Sequence, residues 1–274
     1  MTDINVRKFK DADLKGATIL AAVPSVGLVS TIAATYMISA LRMDQVMALD
    51  SEDFPPLSMV YAHKPKFPVR VYAAPGGKVA CFISEVPLPA KVHRALARTL
   101  IEWSQAQGAK RILCLEGLPR VQEAEGEVEV WAVASLESSN AAIEAAGIPY
   151  LETGIVSGVA GVLLNEGRWT KYDVIALLGE ARPYLPDAHA AAKLVQTADR
   201  LLPDVEIDLA PLLDQAKELE AHLQTLKEQA KPVAPEVTAS APIVPIASAS
   251  AQATAIAAHP PPILPRVVPK PVSS

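Results

Sequence analysis

No charged side chain occurs between Gly16 and Leu41. About 20 apolar residues suffice for a helix to cross a bilayer, so this stretch admits three outcomes: a membrane span, a nucleotide-binding turn, or a piece of a soluble core. Its internal order separates them. "ATILAAV" (17–23) is a short apolar run, "PSVG" (24–27) is a breaker, and "GLVSTIAATYMISAL" (27–41) is long enough for a helix of about four turns. That order reads as strand, tight turn and helix rather than as one kinked span. Within the helix Leu28, Ile32, Tyr36 and Leu41 fall near one stripe, and Ala33, Ala34 and Ala40 are small enough to pack closely on a sheet. A strand–turn–helix opening invites a nucleotide, but the dinucleotide fingerprint needs several glycines where backbone approaches a pyrophosphate. Only Gly27 is present, Pro24 occupies the turn, and no phosphate-loop lysine follows. A tight turn feeding a helix is the better reading, with a ligand or partner surface at the carboxyl ends of the strands still open on general α/β grounds.

The rest of the chain repeats the alternation. "DQVMALD" (44–50) reads as a strand, and a second follows the Pro55-Pro56 break and runs through Val60. "FPVRVYAAPGGKVACFIS" (67–84) is a hairpin: Val69, Val71 and Ala73 alternate before Gly76-Gly77, and Val79, Cys81 and Ile83 after it. A helix over 90–107 carries Val92, Leu96, Leu100 and Trp103 on one face and stops at Gly108. "KRILCLEG" and "VEVWAVAS" are strands, followed by a helix near 138–146, a glycine-punctuated turn into a helix at "TGIVSGVAGVLLNEG", and a strand at "YDVIALLG". A further helix follows Pro186, with Asp187 as its N-cap. The expected fold is therefore α/β, with a mainly parallel sheet covered by helices on both faces, over residues 1–205.

Two further segments differ in kind. Leu209, Leu212, Ala216, Leu219, Leu223, Leu226 and Ala230 keep a 3–4 spacing, which predicts a leucine-seam helix over 206–230 that joins a second copy or a partner, or else packs on its own domain. Residues 231–274 hold ten of the 24 prolines and almost no charge, a composition expected of a disordered tail. The net charge of −5 argues against nucleic acid as a partner, because phosphate binding needs a basic field. Cys81 and Cys114 sit in apolar runs and read as buried reduced thiols of a cytoplasmic protein, and the first residues show no signal peptide and no membrane anchor.

Candidate chemistry is sparse. His63, His93, His189, His222 and His259 show no metal-ligand spacing, and His93 and His189 read as surface residues of helices. Glu123, Glu125, Glu127 and Glu129 alternate as a solvated edge would. Ser157 lies in "GIVSGVAG", which lacks the G-x-S-x-G order of a hydrolase elbow. Gly154, Gly158 and Gly161 suit close helix packing, or an anion at a helix start. Lys91, Arg94 and Arg98 form a basic, solvated stripe. No nucleophile–base pair, metal set or cofactor loop assembles from these residues, so no cofactor is expected.

Taken in order, "AVPSVGLVSTIAATYMI", "FPP", "FPVRVY", "LIEWSQAQGAKRILCLEGLP", "TGIVSGVAGVLL" and "PYLPDAHAAAKLV" resemble the proteasome assembly chaperone family, in its archaeal and bacterial branch. The resemblance covers about residues 15–225. It implies a sheet laid out as in nucleoside phosphorylases, homo-oligomers, and a non-catalytic chaperone role with proteasome subunits as partners. It makes Pro24, Gly27, Gly154, Gly158, Gly161, Pro186 and Asp187 structural turn residues. Some archaeal relatives dock through a C-terminal hydrophobic-Tyr-any tripeptide; here the last residues are Val272-Ser273-Ser274, without the tyrosine. Related sequences have also carried an ATP-grasp ligase label, so an enzyme of that type, or a phosphorylase-like one using the 154–161 turn, is the alternative.

Overall fold

Apolar residues on adjacent positions of a strand can both be buried only if the sheet is covered on both faces. That is how this chain uses its short apolar runs in the computed structural model, which describes residues 3–61, 63–120, 128–202, 205, 207–208, 210–212 and 214. The strands are β1 (Asn5–Lys8), β2 (Thr18–Ala22), β3 (Asp44–Asp50), β4 (Met59–Tyr61), β5 (Lys64–Lys66), β6 (Val69–Ala73), β7 (Val79–Ser84), β8 (Arg111–Pro119), β9 (Val130–Ala134) and β10 (Val174–Ala181). The helices are α1 (Val29–Ala40), α2 (Ala90–Ala106), α3 (Asn140–Ala145), α4 (Gly158–Thr170) and α5 (Ala188–Asp199). Eight strands form one mixed sheet in the order β1-β3-β6-β7-β2-β8-β10-β9, and β4 and β5 form a separate hairpin. The central strands β7, β2, β8 and β10 are mutually parallel, and β3 runs the same way, so five of the eight strands share one direction.

The alternation sorts residues between two cores. Leu20, Ala22, Cys81, Ile83, Leu113, Leu115, Ile175 and Leu177 face a layer made by α1 and α5. Their neighbours Ile19, Ala21, Ala80, Phe82, Ile112, Cys114, Val174 and Ala176 face α2 and α4. Hence β2 and β7 are buried at every position. The expected α/β layout, with helices on both faces, is the one adopted.

The uncharged stretch is strand, turn and helix as its order implied. A short 3-10 turn, Val26–Leu28, links β2 to α1. The face that α1 buries is not the Leu28–Ile32–Tyr36–Leu41 stripe, however. Val29, Ala33, Ala34 and Met37 are fully buried, Ile32 and Tyr36 flank them, and Leu28 is 43% exposed. Ala33 and Ala34 make the close contact that their size suggested, because α1 packs against both the sheet and the neighbouring α5, whereas Ala40 is exposed. Strand β1 carried no apolar signal; its four exposed residues form the edge of the sheet beside β3. No helix among the described residues is long and apolar enough to cross a membrane.

At the end of the described chain, Val205, Ile207 and Leu212 pack into the α1/α5 core, and the Tyr36 hydroxyl donates to the carbonyl of Asp208. Leu212, the second residue of the expected leucine seam, is 1% exposed. Leu209, Ala216, Leu219, Leu223 and Leu226, and the whole segment 231–274, lie outside the described residues.

Candidate functional site

The connection leaving β2 leads to the β3 side of the sheet, and the one leaving β8 leads to the β10 side. Adjacent parallel strands whose connections diverge leave a crevice beyond their carboxyl ends, where α/β proteins commonly bind ligands. Here that crevice is a cleft of about 380 Å³. Its walls come from Val23–Val26 after β2, Pro87 and Leu88 after β7, Glu116–Pro119 at the end of β8, His93 of α2, and Ile155–Val159 at the start of α4.

Close backbone contacts shape the cleft. Gly117 has no side chain because a Cβ would run into the Val26 carbonyl, with Val29 Cγ2 at 2.9 Å and Ser25 Oγ at 3.1 Å. Gly27 adopts φ +63°, and a Cβ there would lie 2.9 Å from that of Ala181 and 3.1 Å from the Arg182 carbonyl. The loop after β2 is thus wedged between the end of β8 and the end of β10 with the loop that follows β10. The Asp187 amide donates to the Gly27 carbonyl at 2.8 Å. Asp187 caps α5 as expected, its Oδ1 accepting from the Ala190 amide at 3.0 Å. Its Oδ2 accepts from the Arg182 amide (3.0 Å) and Nε (3.1 Å). Burial raises the Asp187 carboxyl pKa, but those amides and the guanidinium outweigh burial and hold it below the usual value. Ser25 Oγ lies 2.6 Å from Ser30 Oγ, and Ser30 donates to the Val23 carbonyl at 2.5 Å, which fixes the turn around Pro24.

Glu116 is the ionisable group that the cleft surrounds most closely. Burial pushes its carboxyl up to about 8, against a smaller opposing pull from a hydrogen bond to the Gly117 backbone. No lysine or arginine lines the cleft, and Glu116 makes no ion pair among the described residues. His93 is half-buried rather than a plain surface residue: its Nε2 lies 3.0 Å from the Leu88 carbonyl, at the cleft wall. His189 is exposed on α5. By sequence His93 reads as a surface residue and Glu116 goes unmarked, since each sits in an ordinary apolar period. "LEGLP", a charge ending a buried run just before a glycine, is the signal that could have pointed to Glu116.

The other expected residues are dispersed. Gly158 starts α4 at φ +67° with open space around it and lines the cleft. Gly161 lies one turn into α4, where a Cβ would run into the Val156 carbonyl of the preceding loop, so its close contact is with its own turn rather than another helix. Gly154 faces Leu151, and Pro186 is exposed in the loop before α5. Lys91 pairs with Asp53 (2.5 Å) and Arg98 with Glu166 (3.2 Å), so the basic stripe is partly neutralised. Cys81 and Cys114 are buried free thiols, Cys81 pushed up to about 12 by burial. Glu123, Glu125 and Glu127 lie outside the described residues, and among those described no cluster of ligating side chains could hold a metal.

Three comparisons place this arrangement among known proteins. The chain is 27% identical to Pyrococcus furiosus PbaA, an archaeal homolog of proteasome-assembly chaperone, with a TM-score of 0.75 over 82% of this chain and 92% of that one. Pyrococcus furiosus PbaB, an archaeal proteasome activator, shares the fold at 24% identity and a TM-score of 0.71, over 83% of this chain and all of that one. An uncharacterized protein of Methanocaldococcus jannaschii is 24% identical over 217 residues, 79% of this chain and 88% of the relative. The PAC2 family model matches residues 19–227, a span that takes in every wall of the cleft and both helical layers, and the chain accordingly belongs to the PAC2 family.

Proposed function

We propose that this protein is a non-catalytic, cytoplasmic assembly chaperone or scaffold that self-associates and acts by binding proteasome subunits. The likeness to PbaA carries this reading, because it extends over nearly the full length of that chain at an identity above the level at which fold is all that is shared. Surface character supports it. Ile155, Trp169 and Tyr184 are 88%, 83% and 93% exposed, large apolar side chains that a partner would take out of water. The cleft is poorly suited to the alternative of an ATP- or phosphate-using enzyme: among the described residues a phosphate there would meet Glu116 and no cationic side chain. The test is co-expression with the proteasome α subunits of the same organism, followed by native mass spectrometry. A stoichiometric complex that speeds ring formation is expected. Absence of any complex, with ring formation unchanged, would refute the client.

A further inference from the structure

We propose that the cleft beyond β2, β7 and β8 is a docking pocket for a lysine or arginine side chain carried on an apolar segment of a partner protein. This deepens the protein-binding role proposed above by naming the surface and the chemistry it reads.

Charge complementarity selects the occupant. Among the described residues the cleft presents one carboxyl group, that of Glu116, and no basic side chain. A carboxyl group held away from water without a cation is costly to ionise. A cation that enters restores the lost stabilisation, and the ordinary way to bring one into an apolar throat is on an aliphatic stem. Val23, Pro87, Leu88 and Val156 supply that throat. Ile155 stands exposed at the cleft wall, and Leu28 and Tyr184 are exposed on the two loops that the Asp187–Gly27 hydrogen bond ties together. A partner segment therefore needs a basic residue flanked by apolar ones. The start of α4 opposes this, since a helix N-terminus favours negative charge. An anion would have to rely on that partial charge with no side-chain cation beside it.

The two ligand charges are distinguishable by protons. Around Glu116 the other titratable groups among the described residues are His93, facing the cleft from α2, and Cys114, two residues earlier on the same face of β8; the loop after β7 carries Glu85, which is paired with Arg70 and does not line the cleft, and the β2 turn and the start of α4 contribute none. A carboxyl held near 8 is mostly protonated at neutral pH, so a cation must release its proton on binding, and an anion must not.

The probe is the peptide acetyl-Ala-Leu-Lys-Leu-Ala-amide titrated into the full-length protein. Calorimetry in two buffers of different ionisation enthalpy counts protons, and NMR shifts report the site. Saturable binding is expected, with proton release at about pH 7 and tightening toward about pH 8. Replacing lysine by norleucine in the peptide, or Glu116→Gln in the protein, should weaken it by about tenfold or more. Ile155→Ser, at an exposed position, should weaken the peptide but leave butylamine unaffected. Equal affinity of the lysine and norleucine peptides, proton uptake, or no saturable binding would overturn the proposal. So would butylamine binding as tightly as the peptide, which would make the cleft a site for free amines. Peptide binding without a proteasome complex would sink the client instead and leave the pocket standing.

Discussion

Glu116 and Asp187 are two carboxyl groups a few residues from the same glycine-lined seam, and burial raises the pKa of both. Asp187 is compensated by two amides and a guanidinium; Glu116 has only the Gly117 backbone. The folded protein therefore holds the Glu116 proton more tightly than the unfolded chain, whose carboxyl sits near 4.5. A raised folded pKa contributes stability that is complete below about 4.5 and lost as pH rises through about 8. Glu116→Gln should remove that dependence. The variant and the natural protein should melt alike in acid, and the variant should gain above neutrality, by on the order of a few kcal/mol at most. Melting curves from acid to alkaline pH test this; a constant difference at all pH values would mean that Glu116 is not desolvated. Asp187 was legible from sequence because an N-cap is a local signal before a helix. Glu116 was not, because its environment is assembled from four separate elements.

At the scale of elements, the turn between β2 and α1 is held by close packing. Gly27 combines a left-handed backbone with no room for a Cβ, whereas Gly158, also left-handed, has open space. Gly27→Ala should cost about 2–4 kcal/mol, from backbone strain and from overpacking against Ala181 and Arg182. Gly158→Ala should cost only the strain, about 1–2 kcal/mol. Urea unfolding of the two variants separates the contributions, and equal losses would contradict the wedge described for Gly27. The sequence marked both glycines as turns. The Leu28–Ile32–Tyr36–Leu41 stripe did not by itself say which face of α1 meets the sheet, because a helix apolar all round has more than one stripe, whereas the small Ala33 and Ala34 did mark the buried side.

Across the whole molecule, the segment after α5 joins the domain through Ile207 and Leu212, which lie in the α1/α5 core. The seam expected from Leu209 to Ala230 thus begins as an intramolecular contact at Leu212. We propose that its remainder joins subunits, because a helix of about three heptads is marginal in water by itself. Changing Leu219 and Leu223 together to Lys should dissociate the oligomer, while the α/β core still melts cooperatively. Light scattering beside a thermal melt decides this. An unchanged oligomer with a melt lowered by several kcal/mol, as when buried leucines are lost, would place the seam on its own domain.

The linear order of apolar runs, breaks and caps was enough to determine the α/β class, the β6–β7 hairpin, the Asp187 cap and the strand–turn–helix nature of the uncharged stretch, because each depends on residues close in the chain. Strand order, the edge strand β1 and the cleft were decided only in three dimensions. The physical reason is that β2, β7 and β8 are far apart in sequence yet adjacent in the sheet. The desolvation that gives Glu116 its character comes from neighbours that no local pattern of residues encodes.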